Sequence, residues 1–565
     1  MRRSREIKFK EIFQAFLFSI ECHFKCNKKN LAPKIDTNFI MHRFLYAELV
    51  YCFTILQYSM PRLRTKFYGN SLALNNSNDL MILPRIMIFI SNTLCEMGHN
   101  FSTIRSGPSL NINWTNAFQF IENGKIEEAL IELSKERKNW LNRDDLLIRA
   151  SRHYEGAMLA FIRLATTSFK NGSSRIELGL VERKARENEW IKASCPARLD
   201  LAGAWSDTPP ITYECQNGSC VTNLAILVNN EKPIGAKGRI VNSQINKSYF
   251  IRIIMQDSAQ CSDEMSKVSF NFCELEDFKD YNKPQAVACL MKAACVFTKL
   301  IEFNEQNLGE QLKKKLNGSL ELCTWTGLPQ GSGLGTSSIL IACVLKVIWY
   351  VMGIQVSNET LIYSVLLVEQ LMTTNGGWQD QIGGVWGGFK ISTTKNKLPL
   401  EICVKTIKIN DKFAELINQR LILIYTGITR LAKDLLLNVL RNWYAISSVI
   451  YDNVNDLVRN GFKCCESIEK ENLQELGECI NKHRKQKLVM APGSEPESVV
   501  KLIELLNSYV YGMALAGAGG GGFLYAITKE PDYREKMKEK IESLNLEMKV
   551  YDAKISHDGI EIEFC

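Results

Sequence analysis

No stretch of this 565-residue chain stays apolar for the ~20 residues that a bilayer-spanning helix needs; the run MILPRIMIFI, for example, is broken at Pro84 and Arg85. A G-x-x-x-x-G-K-[ST] phosphate loop is absent, as are low-complexity tracts and internal repeats of roughly 20 to 50 residues. Histidine is scarce, with six residues, none of them in a glycine-rich segment, so a carboxylate is a better candidate general base. The eighteen cysteines lack paired metal-type spacing: Cys464 and Cys465 are adjacent, and Cys22 and Cys26 frame His23 with no second pair. Reduced thiols and a cytoplasmic location are therefore expected. The basic start MRRSREIKFKEIFQAFLFSIEC carries Gln14 and Glu21 in its short apolar part and no small-residue cleavage site, so no targeting segment is expected.

The net charge of +8 is also local. Residues 1–70 hold thirteen Lys and Arg against five Asp and Glu, and the remaining chain carries 56 of each sign. The body is neutral, and no basic stripe argues for nucleic acid. With 46% apolar and 23% charged residues, the composition is that of an ordinary globular protein with two or three cores. Residues 1–110 have no legible function. Residues 111–187 read as a helical lead-in, because AFQFIENGKIEEALIELSKERKNWL and DDLLIRASRHYEGAMLAFIRLA carry apolar residues at the helical period. Beyond them short strands, glycine turns and helices alternate, which predicts a mixed α and β body divided into 188–395 and 396–565.

The most informative segment is LPQGSGLGTSSILIACVLKVIWYVMG, residues 328–353, a glycine-rich loop that feeds an apolar helix. Gly331, Gly333 and Gly335 let the backbone turn its amides inward, and Thr336, Ser337 and Ser338 can cap the helix. Amides and helix N-terminus together suit a phosphate, and a hydroxyl there can ligate the Mg²⁺ of a nucleotide. The other reading is a tight turn before a buried helix. A second cluster, AGAGGGGFLYAIT, contains G-x-G-x-x-G from Gly517 to Gly522, but in helix-then-strand order, the reverse of a dinucleotide motif. Such glycine density implies backbone held close to a ligand or to the first loop.

Phosphoryl transfer would need one residue to orient or deprotonate a hydroxyl. Asp380, in GGWQDQIGGVWGG, lies between glycine turns and is the candidate; capping a turn is its alternative role. Glu369 ends an apolar helix face, where a metal ion or open solvent could satisfy it. In CPARLDLAGAWSDTPPITYE, Arg198 and Asp200 share a strand-like run and Asp207 could accept hydrogen bonds from hydroxyls. An Arg–Asp pair could also simply pin the loop.

These three segments, in this order, resemble the GHMP kinases, the family of galactokinase, homoserine kinase and mevalonate kinase. The resemblance implies an α+β fold of two subdomains with ATP and substrate in the cleft between them. It also implies that Asp380 is the catalytic base, supported by Arg198, and that Gly331, Ser332, Gly333, Leu334, Gly335, Thr336, Ser337 and Ser338 hold the ATP phosphates. Ser337 and Glu369 would bind Mg²⁺, while Asp207, Arg430, Gly519 and Gly520 would face the acceptor. Over residues 115–565, stretches such as RASRHYEGA, EQLMTTNGGWQDQIGG and KLVMAPGSEPESV are similar to the L-fucose kinases, which implies L-fucose as the sugar. WSDTPP also resembles a turn of heptose-phosphate kinases, so another sugar, or a non-catalytic sugar sensor, is the competing expectation. Fucose kinases are usually longer, with an N-terminal half related to sugar-nucleotide pyrophosphorylases; none of its glycine motifs is seen here, so that activity is not expected. Oligomeric state is left open.

Overall fold

A computed structural model describes residues 82–98, 112–167 and 176–565, apart from 142, 144–145, 184, 246, 258–266, 284, 305–306, 430–431, 446–447 and 544–546. The basic start, the Cys22–His23–Cys26 group, most of the region left without a function and Arg430 lie outside the described residues.

The described chain opens with helices α1 (Ile82–Gly98), α2 (Ile112–Glu122), α3 (Ile126–Trp140) and α4 (Leu147–Thr167). Strands β1 (Leu178–Leu180), β2 (Ile191–Cys195) and β3 (Ala197–Ala202) follow, then α5 (Ile211–Glu214), β4 (Ser219–Val228), β5 (Ile234–Val241), β6 (Ile251–Gln256) and β7 (Lys267–Phe272). Next come α6 (Cys289–Phe297), α7 (Leu308–Leu316), β8 (Ser319–Thr326), α8 (Thr336–Val351), β9 (Ile354–Val356), α9 (Asn358–Leu371) and α10 (Gln379–Val385). The rest comprises β10 (Phe389–Thr394), β11 (Cys403–Ile407), α11 (Asp411–Arg420), β12 (Leu421–Tyr425), α12 (Ala432–Tyr444), α13 (Ser448–Glu469) and α14 (Leu473–Met490). It ends in α15 (Glu497–Leu506), β13 (Val510–Leu515), β14 (Phe523–Thr528), α16 (Tyr533–Ser543), β15 (Lys549–Ile555) and β16 (Glu561–Phe564).

The expected mixture of helices and sheets is present. One sheet of six strands runs β16-β2-β5-β8-β6-β7; a second of eight runs β11-β10-β4-β15-β12-β14-β13, with β3 also paired to β4. The second sheet takes strands from both sides of residue 396, because β15 returns to pair with β4 through Ala553, Lys554 and Ile555. On α15 the stripe Val499, Leu502, Ile503 and Leu506 packs on Ile422, Ile424, Met513 and Leu524 of the sheet, joined by Met537 and Ile541 of α16. Each such side chain contributes about 1.5–3 kcal/mol on burial.

The lead-in is helical from Ile112 to Thr167, as its periodicity predicts, with breaks at Asn123–Lys125, where Gly124 sits at φ +70°, and after Trp140; within the bounds 111–187, however, Leu178–Leu180 form strand β1 rather than helix. Along α4 the residues Leu147, Ala150, Tyr154, Ala157, Phe161 and Ala165 are buried; α4 packs on α1, where Ser91 Oγ donates to Ser151 O at 2.9 Å, while Tyr154 lies against Trp114 of α2 and donates to Leu133 O of α3 at 3.0 Å. Arg85 of α1 donates to Glu214 Oε2 at 2.5 Å, which also accepts from Trp443 Nε1 at 2.8 Å. Arg441 Nε of α12 donates to Glu155 Oε1 of α4 at 2.7 Å, which ties the lead-in directly to the body. The helix expected directly before the second glycine cluster ends at Leu506, and the cluster instead joins two antiparallel strands, β13 and β14. Val510–Leu515 is buried at all but one position and takes up sheet hydrogen bonds there, which overrides its local helical reading. Among the described residues no helix is long and apolar enough to cross a membrane.

Candidate active site

The glycine loop turns because three of its residues lie in the left-handed region: Gly331 at φ +69°, Gly333 at +75° and Gly335 at +78°. Gly335 is also the N-cap of α8, and no side chain caps that helix. The hydroxyls expected to cap go elsewhere: Ser332 Oγ and Thr336 Oγ1 pair at 2.8 Å, and Ser338 Oγ donates to Glu369 Oε1 at 2.5 Å. The first-turn amides of α8 are thus left to an anion, where the helix dipole favours one.

The second glycine cluster closes on this loop. Phe523 N donates to Ser332 O at 2.9 Å. A Cβ on Gly333 would come 2.4 Å from Ala516 O, and one on Gly522 would come 2.5 Å from Ser332 O. Close backbone approach between the two loops is therefore the reason for the glycines. Gly519 and Gly520 are placed differently: Gly520 N donates to Ser494 O at 2.5 Å, and a Cβ on Gly519 would stand 2.8 Å from the same oxygen.

Arg198 lies on β3, all six residues of which are buried. Its Nε and Nη2 both reach Asp380 Oδ1, at 2.9 and 2.6 Å, while Nη1 reaches Gly333 O at 2.8 Å and Asp200 Oδ1 at 3.1 Å. One guanidinium thus connects Asp380 to the glycine loop. Burial opposes its charge, but Asp380 and Asp200 outweigh burial and raise its pKa further. Asp380 sits not in a turn but in the first turn of α10, with its side chain 31% exposed, so it is open to a small molecule. At the other end of α10 the buried Lys390 Nζ donates to Gly383 O at 2.8 Å and Trp386 O at 2.6 Å, holding the short helix from its C-terminus.

Asp207 and Glu369 flank Asp380 electrostatically. Asp207 is 1% exposed; its Oδ1 accepts from Trp205 N at 3.1 Å and its Oδ2 from Gln379 N at 3.2 Å, so it ties the WSD turn to α10. Burial, reinforced by the Asp380 charge, pushes its pKa up to about 7. Glu369 is pushed up to about 8 by burial, against the hydrogen bond from Ser338 and with help from Asp380 and Asp207. Its Oε2 is buried without a partner. Ser338, rather than Ser337, is the hydroxyl brought to Glu369, and Ser337 is exposed on the next position of α8.

The structure therefore gathers Arg198, Asp380, Asp207, Glu369 and the loop 331–338, and sets Gly519 and Gly520 against the 491–494 turn. Sequence reasoning missed Lys487 and His483. Lys487 Nζ reaches Asp200 Oδ2 at 3.0 Å, Leu515 O at 2.5 Å and Gly517 O at 2.7 Å, and His483 Nε2 stands 3.4 Å from the same carboxylate oxygen. A signal was available: both lie on the helical stripe of Leu476 and Ile480, where a polar residue needs a buried partner.

Residues 298–388, which include the glycine loop and Asp380, match the family model described as "GHMP kinases N terminal domain", and residues 465–545 match "GHMP kinases C terminal". The chain carries both GHMP kinase domains. A L-fucokinase/L-fucose-1-P guanylyltransferase of Bacteroides fragilis is 32% identical over 348 residues, 61% of this chain and 35% of that protein. A bifunctional fucokinase/GDP-fucose pyrophosphorylase of Arabidopsis thaliana is 30% identical over 365 residues, 64% of this chain and 32% of that protein. The matched part thus spans about a third of the length of these two relatives. A D-glycero-alpha-D-manno-heptose 7-phosphate kinase of Campylobacter jejuni is 22% identical over 339 residues, 59% of this chain and 88% of that protein.

Proposed function

We propose that this GHMP kinase chain transfers the γ-phosphoryl group of ATP to the anomeric hydroxyl of L-fucose, giving L-fucose 1-phosphate for salvage toward GDP-fucose. The observation that carries the reading is the pair of hydrogen bonds from Arg198 to Asp380 Oδ1, made while the same guanidinium holds Gly333 O of the glycine loop. It fixes an acceptor-activating carboxylate relative to a phosphate cradle, and positioning is most of what phosphoryl transfer requires.

Both bonds fall on Oδ1, so Oδ2 is the oxygen left to take the proton of the sugar hydroxyl. Arg198 fixes the orientation of the Asp380 carboxyl for that task and adds positive charge beside the transferring group. The uncapped amides of α8 and the inward amides of residues 331–335 hold the ATP phosphates. Asp207 acts by anchoring α10, and the 519–520 backbone by shaping the wall of the cleft.

The residues also fit a divalent cation. Glu369 has a buried oxygen with no partner and a carboxyl that burial and two neighbouring carboxylates discourage from ionising, a state that a cation relieves. Among the described residues no three His, Cys, Asp or Glu form a metal-holding group, so Glu369 with Ser337 or Ser338 would share the ion with nucleotide phosphates, as suits Mg²⁺. Bound there, Mg²⁺ would neutralise charge developing on the phosphates.

The sugar is drawn from the two relatives at 30–32% identity that are named for fucokinase activity. The test is ADP release by purified protein with ATP and Mg²⁺ over L-fucose, D-arabinose, galactose, mannose and a heptose phosphate. Preference for L-fucose is expected. Turnover of another sugar keeps the kinase and discards the substrate; sugar binding without ADP release overturns the reading in favour of a sensor.

A further inference from the structure

Asp200 is a fully enclosed carboxylate, 0% exposed, two residues along β3 from Arg198 and therefore on the same face of the strand. Four groups converge on it. Oδ1 accepts from Arg198 Nη1 at 3.1 Å and from Gly517 N at 2.7 Å; Oδ2 accepts from Lys487 Nζ at 3.0 Å and stands 3.4 Å from His483 Nε2. Its main-chain oxygen is held as well, by Tyr525 Oη at 2.5 Å.

Burying an aspartate and a lysine together costs several kcal/mol per ion in desolvation, and an apolar pair of similar volume often packs as stably. The charges are therefore better explained by what they do to Arg198. That guanidinium is shared: Nε and Nη2 face Asp380, and Nη1 faces Asp200. Asp200 pulls the arginine's field away from Asp380, and Lys487 offsets the pull by neutralising Asp200 from the far side. His483 adds no fixed charge, since burial lowers its pKa below the usual value.

We propose that Asp200 and Lys487 are positioning residues: a buried charge pair that sets how strongly Arg198 acts on Asp380 and so tunes the acceptor-activating carboxylate. The inference rests on the kinase reading above. Through it the C-terminal domain governs the base, because Lys487 on α14 also holds Leu515 O and Gly517 O, the entry to the second glycine cluster. The charged and titratable groups facing Asp380 are Arg198, Asp207 and Glu369; those facing Asp200 are Arg198, Lys487, His483 and Tyr525.

The direction of each substitution follows from its sign. Lys487→Met leaves Asp200 uncompensated, so Arg198 is drawn from Asp380 and the base takes a proton more readily. Asp200→Asn removes the competing carboxylate, so Arg198 acts on Asp380 in full. The acid limb of the kcat/KM profile should therefore move up in Lys487→Met and down in Asp200→Asn. A shift on the order of 0.5–1 pH unit each way is expected, below that of a charge in direct contact. The neutral double variant should return the limb to its wild-type place. If Lys487→Met does not fold, Asp200→Asn and the double variant carry the test by the downward shift and its return. Limbs that stay in place, or move the same way, while activity falls would reduce the pair to a structural brace and overturn the proposal. A wild-type protein that turns over no sugar removes the kinase reading and the proposal with it, an outcome distinct from an active enzyme with unmoved limbs.

Discussion

Arg198 and Asp380 are 182 residues apart in the chain and are joined by two hydrogen bonds to a single oxygen, at 2.9 and 2.6 Å. The pair is asymmetric: Arg198 is buried, Asp380 is a third exposed, and both hydrogen bonds leave its second oxygen untouched by the arginine. That geometry suits a base that must meet a diffusing hydroxyl.

The first prediction follows directly. Asp380→Asn should keep sugar binding and lower kcat by roughly 10²–10⁴-fold, the usual range for a positioned acid or base. Arg198→Lys should also fail, because one ammonium cannot reproduce a fork that serves two carboxylates and a carbonyl. Steady-state kinetics with L-fucose binding measured separately checks both; an active Asp380→Asn enzyme would discard the mechanism.

The raised carboxyls predict a pH dependence of stability. Asp207 moves from 3.8 to about 7 and Glu369 from 4.5 to about 8, so the folded state holds protons that the unfolded chain releases. Their contribution is full below about pH 4 and is lost as pH rises through 7 and 8. Denaturation midpoints of the wild type should show this loss, and Glu369→Gln should flatten it. A cation displaces the proton, so Mg²⁺ with ATP should raise the melting temperature more at pH 8 than at pH 6.

Adjacent serines should separate. Ser338→Ala removes the hydrogen bond to Glu369 and leaves that carboxyl more isolated, costing about 1–3 kcal/mol of stability. Ser337→Ala, at an exposed position, should leave stability within about 0.5 kcal/mol and weaken Mg-ATP affinity instead. Urea denaturation and nucleotide titration of the two variants would reveal whether these effects have been assigned to the wrong serine.

Gly333→Ala tests the contact between the two glycine clusters. The residue sits at φ +75° and a Cβ would meet Ala516 O at 2.4 Å, so both strain and collision oppose it. A loss of about 1–3 kcal/mol is expected, with ATP affinity falling as the loop is displaced. An unchanged denaturation curve would mean that the loops are not interlocked as described.

Much of the site was legible because its chemistry demands residue types that stand out locally. Gly331, Gly333 and Gly335 adopt positive φ, and a hydroxyl-rich start to an apolar helix is a recognisable sign of an anion site. Lys487 was legible only in part: its place on the stripe of Leu476 and Ile480 marks it as buried, but its partner Asp200 is 287 residues away and nothing local names it. The helical reading before the second glycine cluster failed for a related reason. Val510–Leu515 is short and apolar, and only its pairing with β14 made it a strand.

By itself the sequence determined the three motif segments, the helical lead-in and the mixed α and β class, since each follows from periodicity and glycine placement within a few residues. Only the tertiary structure decided that Ser338 rather than Ser337 meets Glu369, and that the second glycine cluster folds onto the first. It alone placed Asp207 between two backbone amides and put Asp200 at the junction of Arg198 and Lys487. These relationships depend on which distant groups share a buried space, where a charge or a polar oxygen must find a partner or change its protonation, and that space exists only once the chain has folded.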